Sequence, residues 1–172
     1  MRLALCPVSG LVQLAETFPP EELRPRVPWI TAFEPEAHLD DLTSRLATLT
    51  GLSWDSVVAG YSSKDDSTLQ RLKKLGFKNQ WRLDPALDIG LSDPCAFVES
   101  FQLPFCDGAA SHAAAKYGRP QLFLVRHVLE HSYEILRFLR AAADVIRDDG
   151  YVMFEVPDCT RAFEALDYTT LW

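Results

Sequence analysis

The sequence predicts a doubly wound, mostly parallel α/β sheet with a short N-terminal arm, and three observations predict it. Leu122 to Val125 is a short apolar run of the kind buried on both faces of a parallel sheet. Tyr133 to Arg147 follows, with Ile135, Leu139, Ala142 and Ile146 along one helical face and Ser132 placed to cap it. Asp148-Asp149-Gly150 then stops the helix just ahead of a second apolar run from Tyr151. Third, apolar runs and helical stretches alternate through most of the remaining chain. Strand, helix and strand in this order form a right-handed crossover between parallel strands. Ligands in such sheets sit beyond the carboxyl ends of the strands, where Arg126, His127, Glu130 and His131 fall.

Residues 1–35 are rich in proline and turn formers and read as an arm with a short helical candidate at Pro20 to Leu23; residues 36–172 read as the α/β domain. A helix is expected from Glu36 to about Leu49, with Leu39, Leu42, Leu46 and Leu49 on one face and Gly51 as its stop. Strands are expected at Ser56 to Ala59, Gln80 to Leu83 and Ala96 to Glu99. Helices are expected at Asp65 to Leu75, Asp107 to Lys116 and about Thr160 to Leu166. The last strand then lies at a sheet edge, a buried-type strand with an uncovered side.

Bulk properties exclude several functional classes. The chain has 172 residues, 48% hydrophobic and 24% charged, which suits one globular core with a small appendage. A formal net charge of -7 and a pI near 5.0 argue against nucleic acid, whose phosphates need clustered Lys and Arg. The one basic cluster, Arg71-Leu72-Lys73-Lys74, reads as the solvated face of a helix. No apolar run approaches the ~18 to 20 residues that span a bilayer, and Met1 to Cys6 is too short for a signal peptide, so no membrane partner and a cytoplasmic location are expected. Cys6, Cys95, Cys106 and Cys159 are scattered without a C-x-x-C pair, which predicts free thiols.

Three sites carry candidate chemistry. The turn after the leading strand, Val57 to Ser67, holds Gly60, whose missing Cβ would let the backbone bend close to a ligand. Ser62, Ser63 and Asp66 stand where permissive residues are wanted, and Asp65 can cap a helix; an ordinary strand-to-helix turn explains the same residues. Asp84 lies about 20 residues further on, at the end of the second strand, where a carboxylate can accept both hydroxyls of a ribose. Its structural alternative is an N-cap ahead of Pro85. Finally, His127-Val-Leu-Glu130-His131 matches H-x-x-E-H, the inverted zinc-peptidase pattern, but it follows a buried strand where that chemistry needs one continuous helix. For His131, a hydrogen bond to a neighbouring loop explains the residue equally well.

Leu124-Val-Arg-His-Val-Leu-Glu-His131 followed by Asp148-Asp-Gly-Tyr-Val-Met-Phe-Glu-Val-Pro-Asp158 resembles class I S-adenosylmethionine-dependent methyltransferases, with the closest likeness to the nucleotide-sugar C-methyltransferase branch. Cys6-Pro-Val-Ser-Gly-Leu-Val-Gln-Leu14 and Thr17-Phe-Pro-Pro-Glu-Glu-Leu23 look like the tail of that branch's zinc-binding module and its linker. The resemblance implies a Rossmann-like fold and S-adenosylmethionine over Gly60, Ser62 and Asp65. It places Asp84 on the ribose, Arg126 and His127 beside the methionine or methyl group, and a small-molecule acceptor nearby.

The departures are as specific. Where the zinc module would carry C-P-x-C-G the chain has Cys6-Pro-Val-Ser9-Gly10, and the earlier cysteine pair is missing, so no metal is expected. Of the family's E-x-G-x-x-D-G turn only Asp65 matches outright; Ser62 adds bulk and Asp66 adds charge. The family's Tyr-x-Glu-His segment, which supplies the general base for methylation at carbon, would begin at about Thr170-Leu171-Trp172 and run past it. The chain thus reads as the front part of such an enzyme, with the sheet incomplete at its C-terminal side, or as a degenerate relative. No catalytic base is assigned, with a neutral His127 as the fallback. The rival from another class is a non-catalytic methyltransferase-like scaffold that binds a partner, or a second copy of itself, through the sheet edge.

Overall fold

The computed structural model of the chain describes residues 2–17, 35–92 and 102–158, with the single positions 19, 22, 160, 164 and 165. The strand expected at Ala96 to Glu99 lies outside these residues, as does most of each helix expected at Pro20 to Leu23 and Thr160 to Leu166.

The arm contains an antiparallel hairpin that the proline-rich composition concealed. Strands β1 (Leu3–Leu5) and β2 (Val12–Leu14) pair Leu3 with Leu14 and Leu5 with Val12 across a turn at Cys6 to Leu11. Cys6 and Cys106 are free thiols, and Cys95 and Cys159 lie outside the described residues.

Among the described residues the body is a four-stranded parallel sheet flanked by helices, an arrangement compatible with a Rossmann-like fold. Helix α1 (His38–Leu46) precedes strand β3 (Val58–Gly60), helix α2 (Asp66–Lys74) and strand β4 (Gln80–Arg82). A short helix α3 (Pro85–Asp88) follows, then α4 (Ala110–Tyr117), strand β5 (Leu122–Arg126), helix α5 (Ile135–Val145) and strand β6 (Tyr151–Glu155). The spatial order is β4-β3-β5-β6. From β3 the chain crosses outward through α2 to β4; from β5 it crosses through α5 to β6 in the opposite direction. The reversal falls between β3 and β5, whose register pairs Val58 with Leu122 and Gly60 with Leu124.

Alternation along the strands divides the core into two layers. Val58, Leu122, Leu124 and Met153 face one side, where Leu46 of α1 and Leu69 and Leu72 of α2 cover them. Ala59, Phe123 and Val125 face the other, against Ala110 and Ala113 of α4 and Phe138, Ala142 and Val145 of α5. Tyr61, Phe105 and Phe138 meet there edge-on or tilted, with centroids 5.1 to 5.5 Å apart.

The helical faces differ in detail from the expected ones. On α5 the buried stripe is Phe138, Ala141, Ala142 and Val145, at the i, i+3, i+4, i+7 spacing, while Ile135 is exposed. Ser132 closes a 3₁₀ turn (Leu129–His131) instead of capping α5, whose N-cap position is Glu134. The helix expected from Asp107 begins as a π-helical turn (Phe105–Ala109), broken from α4 at Gly108 with φ 137°. Gly150 is required where the chain turns into β6: a Cβ there would stand 3.0 to 3.2 Å from the carbonyl oxygens of Arg147, Gln121 and Pro120.

Candidate functional site

The carboxyl ends of β3, β4 and β5 bring the expected residues to one end of the sheet. Gly60 ends β3, Asp84 lies two residues past β4, Arg126 ends β5, and His127 follows it. The Leu83 N–H bonds the Gly60 carbonyl, so the tips of β3 and β4 stay joined beyond the regular ladder.

At the β3 tip the glycine serves packing. A Cβ on Gly60 would lie 2.9 Å from the Asp65 Cβ and 3.1 Å from Leu69 Cδ1. Asp65 folds back over the strand end because Ser62 to Asp65 forms a capping box. The Ser62 N–H donates to Asp65 Oδ2 at 2.8 Å, and Ser62 Oγ accepts from the Lys64 N–H at 3.2 Å. Asp65 Oδ1 in turn accepts the Arg126 N–H at 3.1 Å, so one carboxylate ties β3 to β5 across the point of reversal. Ser62 and Asp65 are fully buried, and Tyr61 is built into the aromatic core. Burial pushes the Asp65 carboxyl up to about 7, against the pull of the Ser62 N–H and the Arg126 charge.

Asp84 does what Pro85 suggested. Its Oδ1 accepts from the Ala86 and Leu87 N–H groups, both at 2.9 Å, with Pro85 in the first turn. Asp88 secures the same turn by accepting the Asp84 N–H, and it also holds Lys116 and the Tyr117 hydroxyl. The Asp84 side chain remains half-buried at the strand tip.

Arg126 is the centre of the polar network. Its guanidinium is 4% exposed and donates to Glu155 through Nε (2.8 Å) and Nη2 (3.2 Å). Nη1 reaches the Lys64 carbonyl, Ser67 Oγ (3.1 Å) and Glu36 Oε1 (3.2 Å). The Glu155 partnership follows from register, since Arg126 and Glu155 are neighbours at the ends of β5 and β6. Burial opposes the Glu155 charge, but hydrogen bonds from His127 and Arg126 outweigh it and hold this carboxyl far below the usual carboxylate range.

His127 has a left-handed backbone, φ 55°, which turns the chain sharply off β5. Its N–H bonds the Glu155 carbonyl, and its Nε2 lies 3.2 Å from Glu155 Oε1, the atom that His38 Nε2 also approaches at 3.2 Å. The carboxylates of Glu130 and Glu155 raise the His127 imidazole to about 9, so at neutral pH it is a cation. The two carboxylates thus favour the protonated form over the neutral base named as the fallback. His127 and His131 also do not share a helix: one is left-handed and the other ends a 3₁₀ turn. Among the described residues no three His, Cys, Asp or Glu side chains are grouped to hold a metal ion.

Sequence reasoning missed Glu36, His38, Ser67 and Glu155. Glu36 meets Arg126 across 90 residues and His38 meets Glu155 across 117, separations at which no local pattern gives a signal. Glu155 was legible in principle, because it stands at the end of the strand paired with β5.

Comparison with protein-family models and with curated proteins finds no match for the chain. Among the described residues no helix is long and apolar enough to cross a membrane.

Proposed function

We propose that the chain is a methyltransferase-type domain that binds S-adenosylmethionine at the carboxyl ends of β3 and β4, acting in the cytoplasm on a small-molecule acceptor such as a nucleotide sugar. The observation that carries this reading is the strand order β4-β3-β5-β6, which reverses between β3 and β5, the point at which open parallel sheets place their ligands, with Asp84 at the neighbouring tip. Asp84 fits a ribose in part: Oδ1 is committed to the helix cap, which leaves Oδ2 alone to accept a sugar hydroxyl where an uncommitted carboxylate would take two. The β3 turn fits less well, because the Ser62 and Lys64 N–H groups that could cradle a ligand are bonded within the capping box. The cofactor would supply an electrophilic sulfonium methyl group. The chain's own contribution would be orientation by Asp84, with the His127 cation just past the end of β5.

A second reading, a non-catalytic scaffold of the same fold, draws on a different observation. Asp65 and Arg126 satisfy each other and their neighbours across the point of reversal, as a purely structural lock would. Calorimetric titration of the chain with S-adenosylmethionine and S-adenosylhomocysteine separates the two. The methyltransferase reading expects saturable binding that Asp84→Asn weakens about tenfold or more, the worth of a hydrogen bond to a charged group. Asn preserves the N-cap, so the folded helix serves as the control. Absence of heat with folded protein favours the scaffold.

A further inference from the structure

The contact between Glu36 and Arg126 has the chemistry of a ligand held in place by the chain itself. Glu36 Oε1 accepts from Ser67 Oγ at 2.8 Å and from Arg126 Nη1 at 3.2 Å. Its other oxygen has a poorer partner, Arg71 Nη1 at 3.7 Å. The guanidinium beneath is 4% exposed, whereas the Glu36 side chain above it is 33% exposed. Among the described residues, every other acceptor on Arg126 belongs to the sheet end or to the turn and helix that follow β3; Glu36 comes from the segment ahead of α1. It is the replaceable member of the set.

Space adjoins it. A cleft of about 480 Å³ between α1 and α2 reaches Glu36 through two of its lining residues, Ser67 and Arg71; Gln70 and Lys74 extend the α2 side, and Asp40, Thr43 and Ser44 form the α1 side. Its volume lies within the range of small-molecule sites. The charges around it favour an anion once Glu36 leaves. With Glu36 in place, Arg126, Arg71 and Lys74 are matched by Glu36, Glu155 and Asp40; without it, the three cations outnumber the remaining carboxylates by one.

We infer that Arg126, Ser67 and Arg71 form an oxyanion-binding cradle, which Glu36 occupies in cis and which the carboxylate or phosphate group of a ligand enters from the α1–α2 cleft by displacing Glu36. The inference does not depend on methyl transfer or on a nucleoside. An internal occupant lowers apparent affinity by the fraction of molecules in which the cradle is vacant, so a vacancy of about one tenth makes its removal worth about tenfold.

The test titrates the chain and its Glu36→Gln variant with inorganic phosphate and, separately, with sodium acetate, following the amide resonances of Ser67 and Arg71. Glu36→Gln is expected to bind at least one of the two anions about tenfold more tightly, and adding Arg71→Gln is expected to abolish the gain. A preference for phosphate or for acetate identifies the oxyanion. Equal affinities in parent and variant, or a gain that survives Arg71→Gln, overturn the proposal. Should Glu36→Gln not fold, Arg71→Gln alone decides: Arg71 is on the surface of α2, and unchanged phosphate and acetate binding on its loss likewise overturns the site. The probes carry no nucleoside, so the result is separate from the S-adenosylmethionine titration.

Discussion

Gly60 and Asp65 depend on each other sterically, and the pair shows what a single residue controls at the end of β3. Adding one methyl group at position 60 forces the Asp65 side chain off the strand tip, where it bonds both Ser62 and Arg126. Gly60→Ala is therefore expected to destabilise the fold by about 1–3 kcal/mol, the usual cost of overpacking, as read from urea denaturation. Asp65 also makes stability depend on pH. Its carboxyl is raised from 3.8 to about 7, so between those values the folded chain keeps a proton that the unfolded chain has released. Stability from this group is present below pH 4 and is lost as pH rises toward and through 7. Glu155 and Glu36 are shifted the other way, and their contributions are lost on acidification below the ordinary carboxylate range. Comparing urea midpoints at pH 4.5 and 7.5 should show a smaller loss in Asp65→Asn than in the parent chain; an equal loss would mean that Asp65 is ionised throughout.

Among the elements, legibility in the sequence followed how local the deciding forces are. The N-cap at Asp84, the break at Gly150 and the span of β5 could be read because cap, turn and buried strand are decided within a few residues. The buried stripe of α5 could not. Ile135 and Leu139 satisfy a helical period as well as Phe138 and Val145 do, and only packing against Tyr61 and Phe105 selects the second set. Phe138→Ala should cost about 3–5 kcal/mol, as for other buried aromatic truncations, whereas Ile135→Ala should cost well under about 1.5 kcal/mol. Thermal or urea unfolding of the two variants checks the assignment, and equal losses would refute it. The hairpin of β1 and β2 was missed for the opposite reason. Its strands are three residues each, too short for alternation to stand out against neighbouring turn residues.

In the whole molecule, topology decided what the sequence could not. That the site lies at the carboxyl ends of the strands was foreseeable from the alternation of strands and helices, and the strand order gathers there Gly60, Asp65, Arg126 and His127, which were read as candidates. The partners that meet it, Glu36 just ahead of α1 and His38 at the start of α1, belong to a segment whose helical face could be read from the sequence but whose approach to the strand ends could not. One acidic face of the network is thus written in residues that carry no motif.

The long reach of Asp65 has a consequence for biosynthesis. Its carboxylate finds the backbone of β5 only across 61 residues, so a ribosome adding about 5–20 residues per second delivers that acceptor's donor roughly 3 to 12 s after Asp65 itself. For that interval the nascent chain holds an acid in water at the tip of β3 and one uncovered flank of that strand, and the emergence of β5 closes both at once.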